Sequence, residues 1–361
     1  MLNRTNRNTA FRAVALAAVV ATAALGLAGC SGNTPAEDDD TIGVALITKT
    51  NTNPFFIAMK EGAEAASADS GVSFTFGAGK EDGDEDTQIK LIEDAIARGD
   101  AGILITPNGP GVNDAILKAR DAGLYVIALD TPPDPADTVD ITFATDNRLA
   151  GQLIGEWTAA QLDGAKATIA LLDLFDDKIV SVDYNRDQGF LEGMGIDVAD
   201  GNVNGDEAAT GTYSGGDYEI VGNAASNGAE DGGLAAMETL LSKNPNINVV
   251  YTINEPAAYG AYQALQAAGK AEGVLIVSVD GGCAGVDGVK DGVIGATSQQ
   301  YPVKMAELGV QAIVDLVKNG TKPSVSDGLD FFNTGVALVT DTPADGVESI
   351  DTAEAASICW G

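Results

Sequence analysis

The chain has 361 residues, enough for two domains of ordinary size, and its many Gly and Ala residues with few aromatic residues are typical of α/β folds. Its formal net charge of −33 argues against nucleic acid as a partner, because neutralising phosphates needs clustered Lys and Arg. The sequence contains no histidine, which excludes Ser-His-Asp and Cys-His catalysis and removes the commonest transition-metal ligand. The absence of G-x-S-x-G and P-loop motifs weakens the hydrolase and nucleotide-hydrolase interpretations further.

The N-terminus has the pattern of a bacterial signal peptide. Three arginines precede an almost wholly apolar run from Ala13 to Leu27, which is too short to span a bilayer comfortably. The run ends in Leu27-Ala28-Gly29-Cys30, which resembles the lipobox, where the Cys becomes the lipidated mature N-terminus. We therefore predict a signal peptide over residues 1–29, lipidation of Cys30 and a polar tether over residues 30–40. An ordinary signal peptide that happens to contain a Cys is the alternative.

The first strand after the tether is predicted to lead into a ligand loop. An apolar run, Ile42 to Thr48, is followed by polar residues and then by Pro54, which suits a first helical turn because it lacks an N–H. Asn53 would be the N-cap, apolar residues from Phe56 onward recur at helical spacing, and Phe55 lies off that face. Such a loop lies at the carboxyl end of the sheet, where open α/β folds bind ligands. The alternative is that Asn53 only caps the helix and both Phe residues are core.

Strands and helices alternate along the rest of the chain. The first half is predicted to contain strands at 72–76, 101–106, 125–129 and 141–145, with helices at 87–97 and 112–121 and a long helix from Asn147. The second half is predicted to contain strands at 168–172, 249–253, 274–279, 294–297, 331–332 and 336–339, with helices at 187–194, 257–268 and 305–317. The alternation predicts an α/β fold of two similar halves, each a parallel sheet covered on both faces. Residues 196–233 are rich in Gly, Asn and Asp, and only a short strand near Thr210 is predicted there.

Two cysteines remain after Cys30. A secreted location permits Cys283 and Cys359 to pair, and we expect a disulfide that staples the C-terminal tail to the loop after Asp280. The alternative is two free, buried thiols.

Short motifs at the ends of the predicted strands and the starts of the helices resemble the bacterial periplasmic sugar-binding proteins of the ribose and fructose type. These proteins are the extracytoplasmic receptors of ABC importers, and the resemblance extends from about Thr41 to about Val339. It is carried by the following segments, in order: Asn53-Pro54-Phe55-Phe56, Ile127-Ala128-Leu129-Asp130, Thr145-Asp146-Asn147, Asn185-Arg186-Asp187-Gln188-Gly189-Phe190, Asn254-Glu255-Pro256, Val279-Asp280-Gly281 and Gln299-Gln300-Tyr301-Pro302.

The resemblance implies two lobes that close on a sugar like a clamp. An N-terminal lobe is expected from residues 42–145 and 301–327, and a C-terminal lobe from residues 146–300 and 328–361. It further implies a binding protein rather than an enzyme, with no cofactor and no metal. The implied partners are a monosaccharide, an ABC permease and, through the lipid anchor, the membrane, with the chain acting as a monomer and not binding nucleic acid.

The matching positions of the family imply a set of ligand-binding residues. They are Asn53, Phe55, Phe56, Thr106, Asp130, Thr145, Arg186, Asn254, Asp280 and Gln300. Their chemistry suits a sugar, because the carboxylates, the guanidinium and the amides can bond hydroxyl groups and the rings can cover C–H faces. Two carboxylates against one guanidinium favour a neutral polyol, and Phe55 is preferred to Phe56 for sugar contact.

Three residues depart from the pattern of the ribose proteins. Thr106 stands where an amide is expected, Thr131 where an arginine is expected, and Val279 where an aromatic residue is expected. Together with the segments around Asn254, Asp280 and Gln300, these departures resemble the fructose-importing branch more closely, so we expect fructose as the ligand, with ribose or another pentose or hexose as the alternative.

Other interpretations stay open at this point. The chain could serve as a sugar sensor for a membrane receptor, or be a lipid-anchored glycosidase that uses Asp130 and Asp280. Asp82, Asp84, Asp86 and Glu93 match positions one, three, five and twelve of a calcium loop, but Thr87 occupies the position that requires Gly.

Overall fold

Strands and helices alternate throughout residues 41–361, the part of the chain that the computed structural model describes. The strands are β1 (Gly43–Thr48), β2 (Ser73–Ala78), β3 (Gly102–Ile105), β4 (Tyr125–Leu129), β5 (Ile141–Ala144), β6 (Ala167–Asp173), β7 (Thr210–Thr212), β8 (Asp217–Ala225), β9 (Val249–Thr252), β10 (Leu275–Asp280), β11 (Ala296–Gln299), β12 (Phe332–Asn333) and β13 (Ala337–Val339). The helices are α1 (Pro54–Ser70), α2 (Glu85–Arg98), α3 (Asn113–Asp121), α4 (Asn147–Leu162), α5 (Ser181–Met194), α6 (Glu230–Lys243), α7 (Glu255–Ala267), α8 (Cys283–Lys290), α9 (Pro302–Asn319) and α10 (Thr352–Ala355). The predicted signal peptide (1–29), Cys30 and the tether (30–40) lie outside the described residues.

Within residues 41–361 the strands form two sheets, as the alternation predicted. The first has the order β12-β5-β4-β3-β1-β2, and all of its neighbouring strands are parallel. The second has the order β13-β11-β10-β9-β6-β8-β7, and it is parallel except for the pairs at its two edges. The predicted α/β class is therefore confirmed.

Each sheet is covered by helices on both faces, and β1 shows how the sequence achieves this. Successive side chains of a strand point to opposite faces of the sheet. Val44 and Leu46 enter a core with residues of α1 and α9, whereas Ala45 and Ile47 enter a core with residues of α2 and α3. Because both faces of β1 are buried, its sequence is a continuous run of apolar residues rather than an alternation of apolar and polar ones.

Helix α1 begins and ends as its sequence predicts. The side chain of Asn53 accepts a hydrogen bond from the backbone N–H of Phe55 (2.9 Å), and Pro54 is the first helical residue. At the other end Gly71 adopts a left-handed conformation (φ 70°), which glycine reaches without steric penalty. The helix start is thereby fixed against the end of β1.

Helices α4 and α5 pack backbone to backbone. A Cβ on Gly151 or Gly155 of α4 would collide with the carbonyl oxygens of Arg186 and Phe190, respectively, on α5. In return, a Cβ on Gly189 of α5 would collide with the carbonyl oxygen of Arg148 on α4. Glycine is required here because only a residue without a side chain permits this approach. The contact places Arg186 close to the start of α4.

The chain crosses between the two sheets after β5, after β11 and after β12. Strand β12 pairs in parallel with β5, through Phe332 with Phe143 and Asn333 with Ala144. The chain therefore leaves the first sheet after Asn333, and the expectation that residues 328–361 all belong to the second lobe was wrong. The strand itself was predicted at 331–332, but two residues carry no pattern that shows which sheet the strand joins.

Two further regions differ from the predictions. Strand β8 and the start of α6 lie within residues 196–233, where only a short strand was predicted. β8 pairs with β6 through a register shift and carries a glycine, Gly222, so its sequence lacks a regular alternation. Helix α5 begins at Ser181 rather than Asp187, which puts Arg186 inside the helix and not at its start.

The C-terminal tail is covalently attached to the second lobe. A disulfide joins Cys283, the first residue of α8, to Cys359. The staple expected from the sequence is thus present in the structure, between the segment after Asp280 and the tail.

We predict that Gly189→Ala destabilises the protein by about 1–3 kcal/mol, because overpacking forces the two helix backbones apart. At an ordinary position in a helix interior, Gly→Ala instead increases the free energy of unfolding. Urea unfolding measures the difference. Gly201→Ala is the matched control, because the nearest atom to its added Cβ is 3.4 Å away. An unchanged or increased free energy of unfolding for Gly189→Ala would contradict the close contact.

Candidate functional site

The carboxyl ends of both sheets border one buried cavity. All of the predicted ligand residues except Thr106 and Thr145 line it, and it is also lined by Lys49, Asp82, Leu174, Val182 and Ile253. The cavity measures about 30 Å³, which is about the share of one water molecule in liquid water. A sugar ring is several times larger, so the lobes must separate to admit one. A wider opening of about 860 Å³ adjoins the cavity and shares Asn53, Asp82 and Asp280 with it.

Two aspartates occupy equivalent positions in the two lobes. Asp130 directly follows β4 of the first sheet, and Asp280 ends β10 of the second. Both are buried, and both have positive φ angles, 65° and 152°, which are uncommon for residues other than glycine. Backbone strain of this kind concentrates at functional sites, where the surrounding structure holds it in place.

Arg186 reaches from α5 to the first lobe. Its Nε donates to Oδ1 of Asn147 (2.7 Å) and its Nη1 donates to the carbonyl oxygen of Ile253 (2.9 Å). Its Nη2 lies 3.6 Å from Oδ1 of Asp130, and both side chains are about 95% buried, with exposures of 6% and 5%. The guanidinium is therefore fixed by the second lobe and paired with a carboxylate of the first. The prediction from the helix-start position alone would have been an exposed cation.

Two acceptor oxygens in the cavity have no hydrogen-bond donor within residues 41–361. One is Oδ1 of Asp130, whose other oxygen accepts from the hydroxyl of Thr131 (2.8 Å). The second is Oε1 of Gln300, whose amide nitrogen donates to Oδ1 of Asp280 (3.0 Å). A buried acceptor without a donor costs about 1–3 kcal/mol. Both atoms are therefore positioned to accept hydrogen bonds from a ligand.

The charges around the cavity favour an uncharged ligand. Three carboxyl groups, those of Asp82, Asp130 and Asp280, face two cations, Lys49 and Arg186. Burial raises the pKa of Asp82 to about 6, and Lys49 partly offsets it. Burial also raises the pKa of Asp280, while the Arg186 charge lowers it and the Asp130 charge adds to the rise. An anion would meet an excess of acids, which disfavours its binding.

Lys49 was not predicted as a site residue, and Asp82 was assigned only to a possible calcium loop. Lys49 directly follows β1 and Asp82 follows β2, so both lie at the carboxyl end of the first sheet. That position was the available signal, because ligands bind at this edge of open α/β sheets. Asp84, another of the four residues of the supposed calcium loop, instead caps α2, and its Oδ1 accepts from the backbone N–H of Thr87 (3.1 Å).

Glu255 was also missed, and it supports the loop after Asp280. Its carboxylate accepts from the backbone N–H groups of Gly281 (2.8 Å) and Gly282 (3.2 Å) and from the hydroxyl of Thr297 (2.8 Å). Burial, and then the charge of Asp280, raise its pKa. The available signal was its place in the motif Asn254-Glu255-Pro256.

Thr106 and Thr145 do not line the cavity. The hydroxyl of Thr106 accepts from the backbone N–H of Lys49 (2.9 Å) and is fully buried. The hydroxyl of Thr145 donates to the carbonyl oxygen of Gly335 (3.4 Å), where two chain crossings lie side by side. Both threonines therefore support neighbouring backbone, and their contact with a ligand stays a prediction.

Both phenylalanines combine core and cavity roles. The prediction placed Phe55 off the apolar face of α1, but it is buried at 3% exposure. Its ring meets those of Phe56 (5.4 Å between centroids) and Trp360 (5.3 Å), both edge to face. Asn53 and Asn254 likewise cap α1 and α7 while lining the cavity. The two interpretations of Asn53 and of the Phe residues are therefore compatible.

Comparisons with known proteins agree with this geometry. A family model described as a periplasmic binding protein domain matches residues 44–322. The chain is 29% identical over 318 residues to the ribose import binding protein of Salmonella typhimurium, covering 88% of this chain and 96% of that one. It is 28% identical over 341 residues to a D-ribose/D-allose-binding protein of Pseudomonas aeruginosa, covering 90% and 97%.

Solved structures show the same fold. An ABC transporter solute-binding protein of Agrobacterium vitis with bound D-fucose superposes with a TM-score of 0.71 at 25% identity, covering 88% of this chain and 100% of that one. A solute-binding protein of Actinobacillus succinogenes with bound D-allose also gives a TM-score of 0.71, at 23% identity and the same coverage.

A second group of buried acids lies beside the cavity. Burial raises the pKa values of Asp173 and Asp187 well above the ordinary range, and the charges of Asp183 and Asp173, respectively, add to the rise. Burial also raises the pKa of Asp183 to about 6, although the backbone N–H groups of Leu174 and Phe175 lower it. The unfolded chain releases such protons near pH 4. The folded state keeps them to higher pH, so its stability falls as the pH rises through that interval.

We predict that Asp187→Asn raises the melting temperature at pH 8, because the neutral amide carries no buried charge, and that this gain disappears near pH 4. Differential scanning calorimetry from pH 4 to 8 measures it. Asp94→Asn, a change at an exposed position of α2, is the control. The difference between its melting temperature and that of the wild type should not change with pH. A lower melting temperature for Asp187→Asn at pH 8 would mean that the native carboxylate is ionised and paired.

Proposed function

Because the chain belongs to the periplasmic binding protein family, we propose that it captures a neutral monosaccharide outside the cytoplasm and delivers it to an ABC importer. The resemblance predicted from the motifs is confirmed. So is the prediction that the chain is a binding protein and not an enzyme, because its relatives are receptors of ABC transporters. The glycosidase interpretation is therefore set aside.

Two buried acceptor oxygens that lack a hydrogen-bond donor among the described residues carry the proposal. Oδ1 of Asp130 belongs to the first lobe and Oε1 of Gln300 to the segment after β11 of the second, and both are buried. A sugar offers several hydroxyl donors on one rigid ring, so it can satisfy acceptors on both sides of the cavity together. Binding and lobe closure would then be one event.

The apolar part of the site supports a sugar as well. Phe55 and Phe56 on one side, with Leu174 and Val182 on the other, border the cavity. Monosaccharides carry C–H groups that pack against such surfaces while their hydroxyls reach polar groups. An ion or a small polar solute would leave these side chains without contact.

Fructose is the sugar that we propose as the first candidate, with ribose and allose as alternatives. The motif residues resemble the fructose-importing branch, whereas the relatives carry ribose and allose in their names. Of the departures from the ribose pattern, Thr106 does not line the cavity and Val279 is part of the core. These two departures therefore distinguish fructose from ribose less sharply than the sequence suggested.

The family acts outside the cytoplasm, so the chain is extracytoplasmic. Among residues 41–361 no helix combines the length and apolar character needed to cross a membrane. We propose that a lipid on Cys30 anchors the chain to the membrane and that it meets its permease as a monomer.

Titration calorimetry with fructose, ribose, allose, xylose, galactose and a polyamine tests the function. Asp130→Ala should weaken the affinity for the bound sugar at least about 100-fold, because it removes charge-assisted hydrogen bonds and leaves Arg186 without its counter-charge. Asp137→Ala, at an exposed position after the same strand, is the matched control. If no sugar binds the wild type, or only the polyamine does, the proposed function is wrong.

For the anchor, we predict that Cys30→Ala abolishes labelling of the protein by a fatty-acid analogue in cells and moves it out of the membrane fraction. Lipidation of a lipobox cysteine needs the thiol as the attachment point. Cys359→Ala should keep the label. Labelling that survives Cys30→Ala would contradict the predicted lipidation.

A further inference from the structure

The last residues of the chain lie between the two lobes at the mouth of the cavity. Trp360 and Gly361 line the wide opening together with Pro54 of the first lobe and Gly282 of the second. We call residues 359–361 the C-terminal clasp. The tail before them, including α10, packs against the second lobe, because Ala355 shares a core with Val286 of α8.

Trp360 packs into the first lobe. Its side chain is 8% exposed and belongs to the core of the first sheet. Its ring meets that of Phe55 at 5.3 Å between centroids and 80° between planes, the edge-to-face arrangement that aromatic pairs prefer. Phe55 borders the ligand cavity and Trp360 does not, so Trp360 contacts a ligand-site side chain without lining the cavity itself.

The same tryptophan is held by the second lobe and by a crossing between the lobes. The backbone N–H of Cys283 donates to its carbonyl oxygen (2.9 Å), and Cys283 is also disulfide-bonded to its neighbour Cys359. Its indole Nε1 donates to the carbonyl oxygen of Gln300 (2.8 Å). Gln300 begins the segment that leads from β11 of the second sheet to α9 of the first.

We propose that Trp360, held in place by the Cys283–Cys359 disulfide, is a positioning residue for Phe55 and Gln300 and a fourth connection between the lobes that favours their closed arrangement. The inference rests on the proposed sugar-receptor function. It adds to that function a residue that contacts two ligand-site residues. One is Phe55 of the first lobe, and the other is Gln300 of the segment after β11.

The physical argument concerns what opening would change. The disulfide ties the clasp to the second lobe, whereas the aromatic contact lies in the first. When the lobes rotate apart, the Trp360 ring must leave Phe55 or the Cys283 contact must break. The first change exposes apolar ring surface to water and the second breaks a hydrogen bond, and both disfavour the open state. A connection that stabilises only the closed state raises ligand affinity by raising the closed fraction.

Sugar binding by wild type, Trp360→Ala and Trp360→Phe tests the proposal, with whichever of fructose, ribose and allose binds the wild type. Trp360→Ala should weaken affinity about tenfold, mainly through faster dissociation in stopped-flow experiments. Trp360→Phe keeps a ring against Phe55 but loses the indole donor, so it should recover part of the affinity. Ile358→Ala, at an exposed position of the tail, is the control and should bind like the wild type.

Reduction of the disulfide provides an independent test of the proposal. Dithiothreitol reduces it to two thiols and is itself oxidised to a cyclic disulfide, so treated wild type should match the Cys283→Ser/Cys359→Ser double variant in affinity. The double variant should not respond to the reductant.

Small-angle scattering of the sugar-free proteins separates the proposal from the function. Trp360→Ala should have a larger radius of gyration than Ile358→Ala, whether or not any sugar binds. A folded Trp360→Ala with a lower melting temperature but unchanged affinity and unchanged radius would show a purely structural role and overturn the proposal. If the wild type binds no sugar, the proposed function fails. The scattering result alone then decides whether Trp360 favours the closed arrangement of the lobes.

Discussion

The pairing of Arg186 with Asp130 across the lobes is the constraint on which the rest of the site depends. Removing a guanidinium from water is expensive, and the cost is offset only when its donors are satisfied. Asn147 and the carbonyl of Ile253 satisfy two of them within the second lobe. The close packing of α4 on α5 makes this possible, because it brings Asn147 and Arg186 together. The remaining side of the guanidinium faces the carboxylate of the first lobe.

The closed cavity is chemically incomplete. It has acceptors without donors at Asp130 and Gln300, and its volume of about 30 Å³ is too small for a sugar. The lobes are therefore nearly closed, yet two buried acceptor oxygens still lack a hydrogen-bond donor within residues 41–361. A ligand rich in hydroxyl groups, or ordered water, would supply the donors. A ligand that supplies donors to both lobes lowers the free energy of closure, and that is how a binding event becomes a shape difference that a permease can recognise.

Local signals in the sequence were sufficient where the structure is set by neighbours in the chain. Asn53 and Pro54 start α1 as predicted, and Asp130 and Asp280 lie at the carboxyl ends of their strands as predicted, because caps and strand ends are local features. Lys49 and Asp82 were missed because their meeting depends on how β1 and β2 pair. Thr106 does not line the cavity, and its family position could not show that its hydroxyl accepts a hydrogen bond from the backbone of Lys49. The two-residue strand β12 was predicted, but its pairing with β5 was not, because so short a strand does not show which sheet it joins.

The glycine contact between α4 and α5 also limits how this protein could be redesigned. An engineer who wishes to change the bound sugar can vary loop residues such as Asp82, since the loop after β2 carries no such backbone contact with α5. The glycines Gly151, Gly155 and Gly189 offer no such freedom, because any side chain there would move Arg186 relative to Asn147. New specificities are therefore best selected from libraries built on the first lobe, with the helix pair of the second kept as a fixed reference.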